Sequence, residues 1–218
     1  ETADGASLGL DSEVLARHQA WCEETGADGC MIIYKEKVVQ EWYSKRYRLP
    51  MHAMSSTKSV AGLLTGMLID DGKIPSVDEP VCTYLEEWCT GDKAKVTLRH
   101  VLSMTSGFEK MRGEKSVGTK ADKNEYVINL PLTYEPGTEW VYSNEGSQLL
   151  SPILDKAAGE PIQDYASKRL FEPLGMQDTQ LNIDQAGHAW TYADMLTTLR
   201  DFARLGILML NQGQWDGE

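Results

Sequence analysis

The sequence predicts an α+β fold, a mainly helical domain joined to an antiparallel sheet that this chain represents by an N-terminal helix and two strands. Three observations predict it. Apolar residues recur at helical spacing in six or seven segments, whereas only Cys30–Tyr34 and Val38–Trp42 are clear β-rich runs. Lys35-Glu36-Lys37 joins those two runs as a short hairpin connection. A two-stranded hairpin is not stable alone, so this sheet requires further strands. On that expectation residues 1–75 form the N-terminal part of the sheet domain together with its first buried helix. Residues 76–218 form the mainly helical domain and its return helix, and the C-terminal sheet strands would follow residue 218.

Each element has its own warrant. Asp11 or Ser12 caps a helix over residues 11–24, with Val14, Leu15, His18, Trp21 and Cys22 on one apolar face and Gly26 as its stop. His18 on that face reads as a packed core histidine. The run Cys30–Tyr34 is apolar on both faces, as a central strand is. A helix over residues 56–70 carries Val60, Ala61, Leu63, Leu64, Met67, Leu68 and Ile69, which point nearly all round it and predict burial. Thr97 caps a short helix through Met104, and the charged, Gly-containing residues 109–125 read as an exposed excursion. Pro131, Pro136 and Gly137 mark a turn before Trp140-Val141-Tyr142. Helices follow over 145–158, stopped by Gly159, over 161–171, opened by Pro161, and over 197–212, stopped by Gly213.

Composition narrows the function. Hydrophobic residues make up 41% and charged residues 25%, so the chain can bury a core. A net charge of −12 repels phosphate backbones and anionic lipid heads, which argues against nucleic-acid and membrane-surface partners. No apolar run approaches the ~20 residues that a membrane span needs. The chain opens on Glu1 with no leader pattern, so it either lost a signal peptide or begins within a longer protein. Of the four cysteines, Cys22 and Cys30 bracket Gly26 and Gly29, and both a bridge and buried free thiols remain open for them. Cys82 and Cys89 enclose a stretch that reads as helix. At ~1.5 Å rise per residue they would stand ~10 Å apart, too far for a bridge. A periplasmic or secreted setting is favoured over a cytoplasmic one.

Two motifs carry chemistry. Ser55-Ser56-Thr57-Lys58 is an S-x-x-K at the mouth of the apolar helix, and it occurs once. Residues three apart share a helix face, so the Lys58 amine reaches the Ser55 hydroxyl. A serine needs such a neighbour to take its proton, and an apolar setting favours a neutral lysine. Tyr142-Ser143-Asn144 is the single Y-x-N, placed after a Pro-Gly turn and before a helix. A phenol beside an ammonium has a lowered pKa and can relay protons, while Asn144 offers both a donor and an acceptor to a lysine or a substrate amide.

Together these motifs resemble the serine β-lactamase and penicillin-binding-protein superfamily, most closely its class C β-lactamase-like branch of esterases, D-amino-acid peptidases and amide hydrolases. The resemblance spans nearly the whole chain. It rests on Met54 to Ser59, Asp71-Gly72-Lys73-Ile74, Val77 to Val81, Val96 to Gly107, Pro136 to Asn144 and Phe171 to Met176. It implies a serine hydrolase working through an acyl-enzyme, with Ser55 as nucleophile, Lys58 as proton acceptor and Tyr142 as proton relay to the leaving group; Asn144, by its own donor and acceptor, is the candidate substrate-binding residue. His100, within the matching stretch, reads as structural. Small esters or amides, including D-amino-acid peptides, are expected ahead of β-lactams.

The sequence departs from the family at its end. The third motif, K-T-G, H-x-G or W-x-G, lies on a late strand that supplies half of the oxyanion hole. Trp215-Asp216-Gly217 fits W-x-G only nominally, since Glu218 ends the chain and no strand can form around it. The chain alone is therefore expected to be incomplete and to lack most activity, with another chain or segment completing the sheet. The alternative is a non-catalytic relative that binds peptide-like or cell-wall ligands. Gly5-Ala6-Ser7-Leu8-Gly9 matches the lipase-type G-x-S-x-G, but no strand can precede it. No cofactor is expected. Metal chemistry is not expected either, since His18, His52, His100 and His188 read as lacking helical i, i+4 pairs or cysteine partners.

Overall fold

The Asp11 carboxylate accepts the Glu13 and Val14 N–H groups and so starts the first helix where the sequence places it. The structure, a computed structural model, describes residues 1–45 and 50–217. In chain order its elements are α1 (Ser12–Glu24), β1 (Gly29–Tyr34), β2 (Lys37–Tyr43), β3 (Met51–His52), α2 (Thr57–Asp70), α3 (Leu98–Leu102), α4 (Lys123–Asn129), α5 (Asn144–Ala158), α6 (Ile162–Ala166), β4 (Leu196–Thr197) and α7 (Leu199–Leu210). β1 pairs with β2, and the short β3 with β4, giving two small sheets among the helices. This is the α+β class read from the sequence. No helix among the described residues is long and apolar enough to cross a membrane.

The chain divides into two units. The first comprises Glu1–Met51, Leu174–Thr179 and the segment from Thr197 onward. Its hairpin turns on two residues rather than three: Lys35 and Glu36 take φ of 50° and 61°, and Lys37 already pairs with Tyr34. α1 and α7 each pack against β1. β1 is half-buried from Gly29 to Ile33 rather than buried on both faces. A Cys22–Cys30 disulfide ties α1 to β1, with the Cα atoms 6.5 Å apart. The apolar face expected on α1 is narrower than its spacing implies. Cys22 alone is fully buried, whereas Val14 and Trp21 are 47% and 59% exposed. The disulfide and a His18–Gln40 hydrogen bond hold this helix in place of a broad apolar stripe. His18 is half-buried and stands one turn before Cys22, so it does have a cysteine neighbour, contrary to the sequence reading. Gly5 to Gly9 form a short 3₁₀ turn in which the Ser7 hydroxyl donates to the Asp4 carbonyl. Trp215-Asp216-Gly217 is a turn after α7.

The second unit, His52–Pro173 with Gln180–Leu196, is built around α5. Its residues Glu145 to Leu154 are all buried, and α2, α3, α4 and α6 pack against it. Gly159 closes α5 at φ 77°, where a Cβ would be strained, and its N–H bonds the Asp155 carbonyl. α2 buries Thr57, Val60, Ala61, Leu64, Thr65 and Leu68. It is not buried all round: Ser59, Gly66 and Asp70 are exposed and Gly62 half-buried, a strip without large side chains that faces water. α3 opens on a capping box in which His100 Nδ1 accepts the Thr97 N–H and Thr97 Oγ1 accepts the His100 N–H, the structural role expected of this histidine. α6 runs on into a π turn over Ser167–Phe171.

Two expectations in this unit are corrected. Cys82 and Cys89 form a disulfide, with Cα atoms 4.8 Å apart. The stretch between them is two 3₁₀ turns, Val81–Thr83 and Glu86–Trp88, separated by the extended residue Leu85, so the straight-helix spacing does not apply. Residues 109–125 are not wholly exposed either, because Val117, Lys123 and Asn124 are buried and Lys123 begins α4. Polar partners make that burial tolerable. Glu145 accepts the Val117 N–H at 3.0 Å, Asp184 accepts the Lys123 N–H at 2.8 Å, and the Gln148 amide donates to Asn124 at 2.9 Å.

Asp155 gives a pH test of this unit. Its carboxylate accepts the Ile162 N–H at 2.7 Å at the start of α6, while burial pushes its pKa up. Because the folded value lies above the unfolded one, this group favours folding most at pH below the ordinary aspartate range, ~3.9. That contribution is lost as pH rises through the folded value. Asp155→Asn keeps an acceptor and removes the charge. Its melting temperature relative to the parent should therefore be higher at pH 7 than at pH 3, and a constant difference would count against this origin.

Candidate active site

The site lies in the second unit, at the start of α2. Ser55 sits in a 3₁₀ turn over Met54–Ser56 and is exposed. Met54 takes φ 47°, an unfavourable conformation for a side chain of this kind, and its carbonyl accepts two hydrogen bonds besides that of the Thr57 main-chain N–H. The Thr57 hydroxyl donates to it at 2.7 Å and the Asp194 N–H at 3.1 Å. Thr57 Oγ1 in turn accepts the Met195 N–H at 3.0 Å. One buried hydroxyl thus bridges the serine-bearing turn to the segment 194–195.

A second pair of segments presents Tyr142. The Val141 N–H bonds the Met104 carbonyl, the Gly137 N–H bonds Thr105, and the Thr133 and Tyr134 N–H groups both reach Gly107. Gly107 has φ 96°, and a Cβ there would run into the Tyr134 carbonyl, so no other residue fits. Ser143 caps α5 through the Gly146 N–H, which puts Asn144 in the first helical turn.

The four residues singled out by sequence converge. The Tyr142 hydroxyl donates to Ser55 Oγ at 2.8 Å, and Lys58 Nζ donates to the same oxygen at 3.2 Å. Lys58 Nζ also donates to Asn144 Oδ1 at 2.9 Å and to the Tyr192 carbonyl at 2.5 Å. An ammonium has three donors and no acceptor, and three oxygens receive them.

Two tyrosines flank Lys58, with ring centroids 4.9 Å (Tyr142) and 6.0 Å (Tyr192) from Nζ, and their phenols shift in opposite directions. The Ser55 hydrogen bond, helped by the Lys58 ammonium, holds Tyr142 below its ordinary value against some desolvation. Burial pushes Tyr192 up to about 12. Of the two phenols, Tyr142 is therefore the one that gives up its proton more readily.

Tyr192 is the contact that sequence reasoning missed, and a main-chain carbonyl has no side-chain signature by which to find it. Its placement is traceable to α5. Pro152 has no N–H to give the Gln148 carbonyl, and the Thr191 hydroxyl reaches that carbonyl at 3.4 Å and the Ser147 carbonyl at 2.8 Å. The Gln148 side chain donates to the Ala189 carbonyl and accepts the Thr191 N–H. Residues 189–191 are thereby fixed along α5, and Tyr192 follows with its ring stacked on Trp190 at 5.7 Å.

A match to the beta-lactamase family covers residues 29–217. The chain belongs to that family. Among its relatives, an N-acetylmuramyl-L-alanine amidase of Bacillus subtilis is 35% identical over 134 residues, covering 55% of this chain and 30% of the relative. A 6-aminohexanoate-dimer hydrolase of Paenarthrobacter ureafaciens is 26% identical over 213 residues, covering 88% and 54%. The crystal structure of a penicillin-binding protein from Bacillus halodurans superposes with a TM-score of 0.71 at 16% identity, over 89% of this chain and 74% of that one. This last likeness speaks to the fold alone. The chain spans about a third to a half of the length of these curated relatives.

Thr57→Val tests the scaffold of the site. The Met54 carbonyl keeps its Asp194 partner, but the buried Met195 N–H loses its acceptor, at a cost of about 1–3 kcal/mol. Urea unfolding should show that loss, and Thr57→Ser, which restores the hydroxyl, should recover most of it. Equal stability of Thr57→Val and the parent would remove the bridge from the account.

Proposed function

We propose that the chain carries the nucleophile-bearing part of a serine hydrolase that works through a covalent acyl-enzyme. The observation that carries this reading is the convergence of Lys58 Nζ and the Tyr142 hydroxyl on Ser55 Oγ. Ser55 Oγ attacks the carbonyl carbon of the substrate. Its proton passes to the Lys58–Tyr142 pair, which the hydrogen bonds from both groups to Oγ make the nearest acceptors once either is deprotonated. Tyr142 then delivers the proton to the leaving group, and the relay runs in reverse when water releases the acyl group. Asn144 orients Lys58 through Oδ1 and keeps its Nδ2 donors for a substrate carbonyl.

Small esters and amides, including peptide-like ones, are the substrate class. An N-acetylmuramyl-L-alanine amidase and a 6-aminohexanoate-dimer hydrolase among the relatives support amide turnover. The two disulfides support an oxidising compartment, periplasmic or secreted. The deciding experiment treats the protein with a fluorophosphonate and, separately, with a penicillin, and maps the adduct by mass spectrometry. The adduct should fall on the peptide containing Ser55. Reversible binding of a peptide-like ligand with no adduct would favour the non-catalytic reading.

A further inference from the structure

Outside this site, one cluster of side chains is arranged for chemistry that the hydrolase reading does not use. His18, Cys22 and Cys30 offer one ligand atom each, all within 4.8 Å of one another. Among the described residues no other group of three such side chains meets that condition. All three lie in the first unit, Cys22 fully buried and the other two half-buried.

The tautomer of the histidine is set by its neighbour. The Gln40 amide donates from Nε2 to the Leu15 carbonyl at 2.7 Å, which turns its Oε1 toward His18. His18 Nδ1 lies 2.8 Å from that Oε1, so in the neutral ring Nδ1 carries the proton and Nε2 is left with a lone pair. Nε2 stands 3.8 Å from Cys22 Sγ. Such a hydrogen bond on the far nitrogen is what fixes the tautomer of metal-binding histidines.

We propose that, when the Cys22–Cys30 disulfide is reduced, His18, Cys22 and Cys30 form a three-ligand site for a thiophilic divalent cation such as zinc. A dithiol supplies the two electrons and two protons, becoming a cyclic disulfide as the protein gains two thiols. Binding the cation then releases two protons and leaves two thiolates and one neutral imidazole around it. The dimensions suit this. With zinc–sulfur and zinc–nitrogen bonds of ~2.3 and ~2.0–2.1 Å, tetrahedral angles put sulfur ~3.8 Å from sulfur and ~3.6 Å from nitrogen. The existing Nε2–Sγ separation is close to the second figure. The sulfurs must part from bonding distance, ~2.05 Å, to ~3.8 Å, a separation still inside the 4.8 Å that contains the cluster. Cys22 Sγ lies about equally far from both ring nitrogens, so loading rotates the imidazole about its Nδ1–Gln40 hydrogen bond. A fourth position is left for water. The same contact between α1 and β1 can then be closed in two ways, by the disulfide or by the cation.

The test uses Cys82→Ser/Cys89→Ser protein, so that only one thiol pair remains. It is reduced anaerobically, freed of reductant and titrated with cobalt(II) alone in a non-chelating buffer. One equivalent should bind, with thiolate-to-cobalt charge-transfer absorbance, tetrahedral d–d bands and release of two protons. Air-oxidised protein should show none of these. His18→Ala should weaken binding at least tenfold, and Gln40→Ala by roughly 10–100-fold through loss of the oriented ring. Cys22→Ser/Cys30→Ser on the same background should abolish it. If reduction itself loosens the unit, zinc should raise the melting temperature of the reduced protein and leave the oxidised protein unmoved. Absence of both absorbance and thermal shift overturns the proposal, as does equal binding by the His18→Ala or oxidised protein. None of these readouts depends on hydrolytic activity, so the site and the hydrolase reading stand or fall separately.

Discussion

Ser55→Ala is expected to abolish covalent labelling by a fluorophosphonate and to lower ester hydrolysis by roughly 10³-fold or more, the scale on which a lost nucleophile acts. The geometry makes this a chemical loss rather than a structural one. Ser55 is exposed, and its hydroxyl receives hydrogen bonds from Lys58 and Tyr142. Lys58 keeps Asn144 and the Tyr192 carbonyl as acceptors in the variant, and the Met54 turn keeps the Thr57 and Asp194 hydrogen bonds. Stability should therefore change by no more than ~0.5 kcal/mol, as for other exposed positions. Melting curves of parent and variant should overlay while labelling disappears. Persistence of labelling near the parental rate, at any residue, would remove Ser55 from the role of nucleophile.

Much of the site was legible because its groups lie in motifs whose spacing has a physical meaning. Ser55 and Lys58 are three apart at a helix start, and Tyr142 and Asn144 straddle the cap of α5. What was not legible depends on contacts that periodicity does not encode. The Tyr192 carbonyl is main chain, and its position follows from Pro152, Thr191 and Gln148 acting together across α5. Cys82 and Cys89 looked unbridgeable because the sequence between them has helical composition, yet Leu85 at φ −123°, ψ 95° breaks it into two 3₁₀ turns. α4 was missed for a related reason. Two of the residues it buries, Lys123 and Asn124, are polar, and a buried polar face leaves no hydrophobic period to read. The apolar spacing of α1 overstated its burial, since a disulfide does part of the work that Val14 and Trp21 were expected to do.

Tyr142→Phe should slow labelling and hydrolysis by about 10²–10⁴-fold, the usual contribution of a positioned proton-transfer group. The sign of the pH dependence distinguishes this role from mere packing. The Ser55 hydrogen bond and the Lys58 ammonium hold the Tyr142 phenol below its ordinary value, so its deprotonated form is populated at lower pH than for a free tyrosine. A phenolate can accept the Ser55 proton and a phenol cannot. The acylation rate of the parent should therefore rise with pH through that lowered value and level off above it. Phenylalanine fills the same space beside Lys58 and keeps the ring face, 4.9 Å from Nζ, but has no oxygen to titrate. That rising limb should vanish in the variant while the melting temperature barely moves. Tyr192 supplies the control. Its phenol is pushed up to about 12 by burial and stays protonated across the working range, so Tyr192→Phe should leave the limb in place. A limb retained in Tyr142→Phe but lost in Tyr192→Phe would reverse the assignment of the two tyrosines.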